Sequence, residues 1–166
     1  MTRAILGLGS NVGDRRKFLA DAVECLDGVT AVSPVYETEP VGGPAQAPYL
    51  NIVVVLHHPY APRALLGVCH RLESAAGRVR SVRHGPRTLD ADILWIDGVA
   101  LNDPDLQIPH PRLRARRFVM APLRDVAPDL VPDDWEDHVE GRVRRVGDWY
   151  DVPGGRAPRP RRRRSG

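Results

Sequence analysis

Two aspartates, Asp90 and Asp92, stand two residues apart in the run GPRTLDADILWIDG, residues 85–98. The residues that follow, Ile93, Leu94, Trp95 and Ile96, read as a buried strand. Residues i and i+2 of a strand share a face. The two carboxylates are therefore expected side by side, with Ala91 and Ile93 on the opposite face. Carboxylates beside a buried strand are costly unless they are paired or hold a metal. A hard cation such as Mg²⁺ takes one or two protein carboxylates and keeps places for water and phosphate. Asp-x-Asp alone also fits two surface aspartates at a strand end.

Arginines surround this pair. Arg78, Arg80, Arg83 and Arg87 precede it, with no lysine among them. The guanidinium offers planar, bidentate hydrogen bonding to phosphate oxygens. Carboxylates for Mg²⁺ beside such arginines suit a nucleoside triphosphate; a solvated basic loop is the plainer alternative. Arg112, Arg114, Arg116 and Arg117 follow His110 as a second basic group, and convergence of the two groups would clamp a polyphosphate from both sides. The chain has no G-x-x-x-x-G-K-[ST] loop and no protein-kinase motif set. Gly7-Leu8-Gly9-Ser10-Asn11 lacks the third glycine of a dinucleotide fingerprint and reads as a tight turn. In ETEPVGGPAQAPYLN, residues 37–51, a proline-glycine loop leads to Tyr49 and Asn51. Asn51 offers a donor and an acceptor for an amide-like heterocycle edge, and Tyr49 a stacking face. A structural loop with Tyr49 in the core explains the same spacing.

The elements that must position these residues follow from periodicity. Residues 3–8 form a strand. Residues 15–26 form a helix capped by Asp14, with Phe18, Leu19, Ala22, Val23 and Leu26 at helical spacing and Gly28 stopping it. A second strand, 29–36, is interrupted by Pro34 and expected at an edge or bulge. The loop 37–48 is long enough to suggest function. Residues 49–57 make a central strand. Residues 61–76 make a helix with Pro62 in its first turn and Leu65, Leu66, Cys69, Leu72 and Ala76 on one face. A basic loop, 77–86, leads into the strand 89–96, and Asp97-Gly98 marks a turn. Helices are expected at 117–126 and 135–146. The order β-α-β-β-α-β is that of an α+β, ferredoxin-like sandwich: a mainly antiparallel sheet with helices packed on it.

The 166 residues fit one domain, 1–150, followed by a Pro/Arg-rich tail, 151–166, expected to be disordered. The tail from Arg156 carries six arginines and no acid. The +3 of the whole chain less those six charges leaves −3, so the high pI belongs to the tail. A nucleic-acid-binding module would call for aromatics and basic residues on a sheet face. At 5% aromatics and with an acidic remainder, no nucleic acid is expected for the folded part. No apolar run is long enough to span a bilayer, and the N-terminal residues lack a signal-peptide pattern. The two cysteines, Cys25 and Cys69, read as reduced, buried thiols of a cytoplasmic protein.

Taken together, GLGSNVGD, VYETEPVG, YLN, GPRTLDADI and IPHPRLRARRFVMAPL, in this order, resemble 6-hydroxymethyl-7,8-dihydropterin pyrophosphokinase. The GPRTLDADI block is the most specific, and the resemblance runs from about residue 2 to about 146. It implies a monomer that moves a pyrophosphoryl group from ATP to the pterin hydroxymethyl group, in tetrahydrofolate biosynthesis. It implies two Mg²⁺ ions on Asp90 and Asp92. The implied pterin pocket falls on Thr38, Val41, Tyr49, Asn51 and Phe118, with Phe118 stacking on the ring. The implied ATP side falls on Glu73, Arg78, Arg87, Ile93, His110 and Arg116, with Arg80 and Arg83 in a closing loop. Asp90, Asp92, Arg80, Arg83 and Arg87 are the implied catalytic group. The sequence departs from some members at His84, where they carry Trp, and at His70, where they carry Gln. The competing activity for Asp-x-Asp is a metal-dependent phosphohydrolase.

Overall fold

The computed structural model describes residues 1–39, 45–58, 60–77 and 88–151. Two long strands make its spine. β1 (Thr2–Ser10) and β4 (Tyr49–His58) pair antiparallel from Thr2↔His58 to Ser10↔Leu50. Both are apolar at successive positions because both faces of the sheet are covered. β5 (Asp90–Ile96) pairs with the free side of β1. β2 (Val29–Val32) and β3 (Val35–Thr38) share the free side of β4, and β8 (Val143–Gly147) pairs with β3. The resulting order is β5-β1-β4-β3-β8, antiparallel throughout. β6 (Leu101–Asp103) and β7 (Leu106–Ile108) form a separate hairpin. The fold is the expected α+β, ferredoxin-like sandwich.

The period of two sorts the spine into two cores. Leu6, Leu8, Ile52 and Leu56 face α1 (Arg15–Glu24) and α2 (Pro62–Ala75), meeting Leu19, Leu65 and Cys69. Ile5, Val53 and Val55 face the other way, onto Val119, Met120 and Leu123 of α3 (Arg117–Val126). A β-bulge shifts the β1–β5 register between Ile5 and Leu6, leaving Leu94 as the extra residue. Leu94 therefore stays on the α3 face, while Ile93 and Ile96 both pack toward α1 and α2.

Several expectations hold in detail. Asp14 caps α1, its carboxylate accepting from the Lys17 amide at 3.1 Å. Helix 117–126 forms as read. Pro34, which has no amide hydrogen, splits residues 29–38 into two strands. Ser33 bridges the break: its amide donates to the Val53 carbonyl at 2.9 Å, and its Oγ accepts from the Val53 amide at 2.9 Å.

Three readings are corrected. Residues 135–146 are not a helix: Trp135–His138 make one 3-10 turn, and Val143–Gly147 are β8. Gly141, at φ 95°, interrupts any helical run, and the open edge of β3 recruits the residues beyond it. Gly7 and Gly9 are not in a turn, because β1 continues to Ser10 with β4 and β5 on either side. The turn comes later, at Gly13 (φ 69°). Cys69 is buried as expected, and burial pushes its thiol up to about 12, but Cys25 at the end of α1 is exposed.

Candidate active site

The α3 face of the sheet is apolar at one end and polar at the other. Ile5, Val53, Val55 and Leu94 lie under α3. Further along the same faces stand Gly7 and Gly9 on β1, Asn51 on β4, and Asp90 and Asp92 on β5. The register sets them in two cross-strand rows, Asn51–Gly9–Asp90 and Val53–Gly7–Asp92. Glycine in the middle of each row leaves a floor without side chains. Above it opens a cleft of about 480 Å³, bordered by Thr38, Tyr49, Asn51, Asp90, Asp92 and Phe118.

At the amide end, Asn51 Nδ2 donates to Thr38 Oγ1 at 2.8 Å, with both residues buried. The chain returning into β4 is held from the β1–α1 turn. Asn11 Nδ2 donates to Gln46 Oε1 at 2.8 Å and to the Ala47 carbonyl at 3.1 Å. Arg15 Nη1 donates to the Pro48 carbonyl at 2.8 Å and pairs with Glu37, which also meets Arg144. These contacts hold the chain on either side of Tyr49. Phe118, in the first turn of α3, is half-buried beside the cleft, with the Arg116 guanidinium 5.3 Å from its ring centroid.

The second basic group divides. Arg112 and Arg116 line the cleft, and Arg114 is exposed. Arg117 turns away: its Nε donates to the Gly141 carbonyl at 3.0 Å, and its guanidinium lies 5.7 Å from the Trp135 ring centroid. Its amide donates to the Glu140 carbonyl, and the Glu140 amide to the Ala115 carbonyl, which ties the start of α3 to residue 140.

At the carboxylate end, β5 is an edge strand with Asp90 and Asp92 half-buried. Between them the Ala91 amide donates to Glu73 Oε1 of α2 at 3.0 Å. Glu73 and Ile93 both lie on the α1/α2 side of the sheet, Ile93 in the core with Cys69 and Leu72, and neither side chain enters the cleft. His110 stands by the two aspartates in an adjoining recess, its amide bonded to the Leu94 carbonyl at 2.9 Å. Its Nδ1 accepts from the Arg112 amide at 3.1 Å, so in the neutral ring Nε2 carries the proton. Burial, then Arg116 and Arg112, lower its pKa, with Asp90 opposing.

The donor set suits a hard cation. Asp90 and Asp92 supply oxygen, sit on one face, and have glycine in the neighbouring strand. Among the described residues no group of three or more His, Cys, Asp or Glu is placed to hold a metal. Two carboxylates are what Mg²⁺ needs when substrate phosphates and water complete its shell.

The structure thus brings Thr38, Tyr49, Asn51, Phe118, Asp90, Asp92, His110 and Arg116 together, and leaves Glu73 and Ile93 behind the sheet. Val41, Arg78, Arg80, Arg83 and Arg87 lie outside the described residues, as does His84, and His70 is exposed on α2. Gly9, read from the sequence as part of a turn, borders the cleft, as do Gln46 and Glu140, to which the sequence drew no attention. The glycine signal was available, since Gly7 and Gly9 share the spacing of Asp90 and Asp92.

Residues 5–128 match the family described as 7,8-dihydro-6-hydroxymethylpterin-pyrophosphokinase (HPPK). The 2-amino-4-hydroxy-6-hydroxymethyldihydropteridine pyrophosphokinase of Methylorubrum extorquens is 46% identical over 136 residues, covering 79% of this chain and 86% of the relative. The Bacillus subtilis protein of the same name is 43% identical, covering 74% and 77%. Among solved structures, the wild-type HPPK-DHPS protein of Plasmodium falciparum aligns at a TM-score of 0.57 and 16% identity, a likeness of fold. The alignment spans 76% of this chain and 38% of that one. On the extent of these matches, the chain belongs to the 7,8-dihydro-6-hydroxymethylpterin-pyrophosphokinase family.

Proposed function

We propose that this chain transfers the pyrophosphoryl group of ATP to the hydroxymethyl group of 6-hydroxymethyl-7,8-dihydropterin, releasing AMP, a step of folate biosynthesis. The observation that carries the reading is a single cleft with an amide-and-aromatic end and a two-carboxylate end, joined across Gly9. Thr38 orients Asn51 toward the polar edge of the pterin, and Phe118 and Tyr49 flank the ring. Arg112, Arg116 and the Nε2–H of neutral His110 meet phosphate oxygens. Asp90 and Asp92 would hold Mg²⁺, which when bound offsets charge on the transferred group. The pterin hydroxyl oxygen bonds to the β-phosphorus, the bond from that phosphorus to the α,β-bridging oxygen breaks, and AMP leaves with its electron pair. Asp92 is the residue best placed to take the hydroxyl proton. The protein's contribution is positioning and charge neutralisation. Arg80 and Arg83 are assigned to a loop that closes over ATP, and Arg87 to its phosphate oxygens.

A metal-dependent phosphohydrolase has no use for the amide-and-aromatic end. AMP measured from ATP with and without the pterin separates the two: AMP that needs the pterin supports transfer, and phosphate release without it refutes transfer. We assign the protein to the cytoplasm as a monomer. No helix among the described residues is long and apolar enough to cross a membrane. The tail is taken as dispensable for turnover, so deleting residues 156–166 leaves the rate unchanged; a large loss would refute that assignment.

A further inference from the structure

Gly9 occupies the middle of the Asn51–Gly9–Asp90 row, in a regular antiparallel ladder. Its backbone is outside the left-handed region that requires glycine, unlike Gly13 (φ +69°) and Gly28 (φ +75°). Any L-residue could adopt this backbone, and glycine inside a strand weakens it. The glycine is therefore not there for the chain's own conformation. A Cβ at residue 9 would lie 2.8 Å from Asn51 Oδ1 and 3.6 Å from Tyr49 Cδ1. Real Cβ atoms do not approach an oxygen that closely, so the Asn51 amide would have to move. That amide is held on the other side by Thr38 Oγ1 at 2.8 Å. Moving it breaks this bond or turns Oδ1 out of the cleft.

We propose that Gly9 is a specificity-determining position. Its missing side chain leaves room for the Asn51 amide to stay bonded to Thr38 with Oδ1 over the floor. The inference rests on the reading of Asn51 as a pterin contact. It adds that strand stability is given up at residue 9 to keep the amide in one orientation. Gly7 differs: the atoms nearest a Cβ there belong to the Leu94 side chain, at 3.3 Å and beyond, with no contact under 3.0 Å.

The test is a double-mutant cycle on the full chain. Affinity for fluorescent 6-hydroxymethylpterin is measured with a non-hydrolysable ATP analogue present, and the analogue's own affinity is measured separately. Gly9→Ala is expected to weaken pterin binding about tenfold, the loss of one oriented hydrogen bond, and to leave analogue binding within about twofold. Asn51→Ala is expected to weaken the pterin similarly, and adding Gly9→Ala to it to cost little more. In thermal melts, Gly9→Ala should raise Tm in the Asn51→Ala background and not in the native one. If Gly9→Ala alone does not fold, recovery in the double variant supports the clash with Asn51. Native pterin affinity in Gly9→Ala, multiplicative losses in the double variant, or an equal fall of Tm in both backgrounds would overturn the inference. Unchanged affinity in Asn51→Ala alone would remove the pterin reading of this end, and the inference with it.

Discussion

Glu73→Ala tests how the edge strand keeps Asp90 and Asp92 in line. Glu73 is 5% exposed, and its Oε1 accepts the Ala91 amide hydrogen at 3.0 Å. That amide lies between the two aspartates on the open side of β5. Without the carboxylate it is a donor pointed at the buried flank of α2. Orphaning a buried donor costs about 1–3 kcal/mol. Lost packing of the one deleted methylene, Cγ, adds about 1 kcal/mol. The expected cost is about 2–4 kcal/mol, which in a domain of this size lowers Tm by roughly 4–16 °C. Glu73→Gln keeps an amide oxygen at the same position and should lose less than about 1.5 kcal/mol. Thermal melts and kcat on the native protein and both variants decide it. The Ala variant should lose more stability and more kcat than the Gln variant, because the strand segment carrying both carboxylates is loosened. Equal losses in the two, or an unchanged Tm in Glu73→Ala, would refute the capping argument. A KM for ATP raised in Glu73→Gln at native Tm would instead mark the carboxylate as a nucleotide contact.

Three further outcomes are expected. Asp90→Asn and Asp92→Asn should each lower kcat by at least about a hundredfold, since several kcal/mol of charge neutralisation is lost, with Tm little changed; native turnover in either variant would remove the metal assignment. Ser33→Ala should cost about 1–3 kcal/mol in urea denaturation by orphaning the Val53 amide across the β2–β3 break, and a stability equal to the native protein's would show that water replaces the hydroxyl. Burial holds the pKa of both His58 and His110 below the ordinary 6.5. The unfolded chain then binds more protons than the folded one below about pH 6.5, so stability should fall as pH drops from 7 through that value; a stability curve with no such slope, or one unaltered in His58→Asn, would contradict the assignment.

Much of the fold was legible because it is local. Helices 15–26, 61–76 and 117–126 follow from apolar spacing and from Asp14, Pro62 and Gly28, all read within a few residues. Asp90 and Asp92 share a face for the same reason: the period of a strand is a property of the backbone. The 135–146 segment was not legible. Its valines and arginines are compatible with either state, and the deciding partner is the edge of β3, from a distant part of the chain. Tertiary pairing overrode the local pattern there.

The site shows the same division. The sequence by itself determined the chemistry on offer: two carboxylates at strand spacing, arginines around them, and an amide and aromatics near a proline-glycine loop. Only the tertiary structure decided which of these meet. Arg116 and Arg117 are adjacent, yet one lines the cleft and the other packs on Trp135. Glu73 and Ile93 sit beside the aspartates but behind the sheet. Gly7 and Gly9 read as a turn in the sequence, whereas the register sets Gly7 between Val53 and Asp92 and Gly9 between Asn51 and Asp90. Residue type and period are carried by the chain itself, whereas the face a side chain shares depends on strands and helices brought together by burial, and no local pattern encodes that.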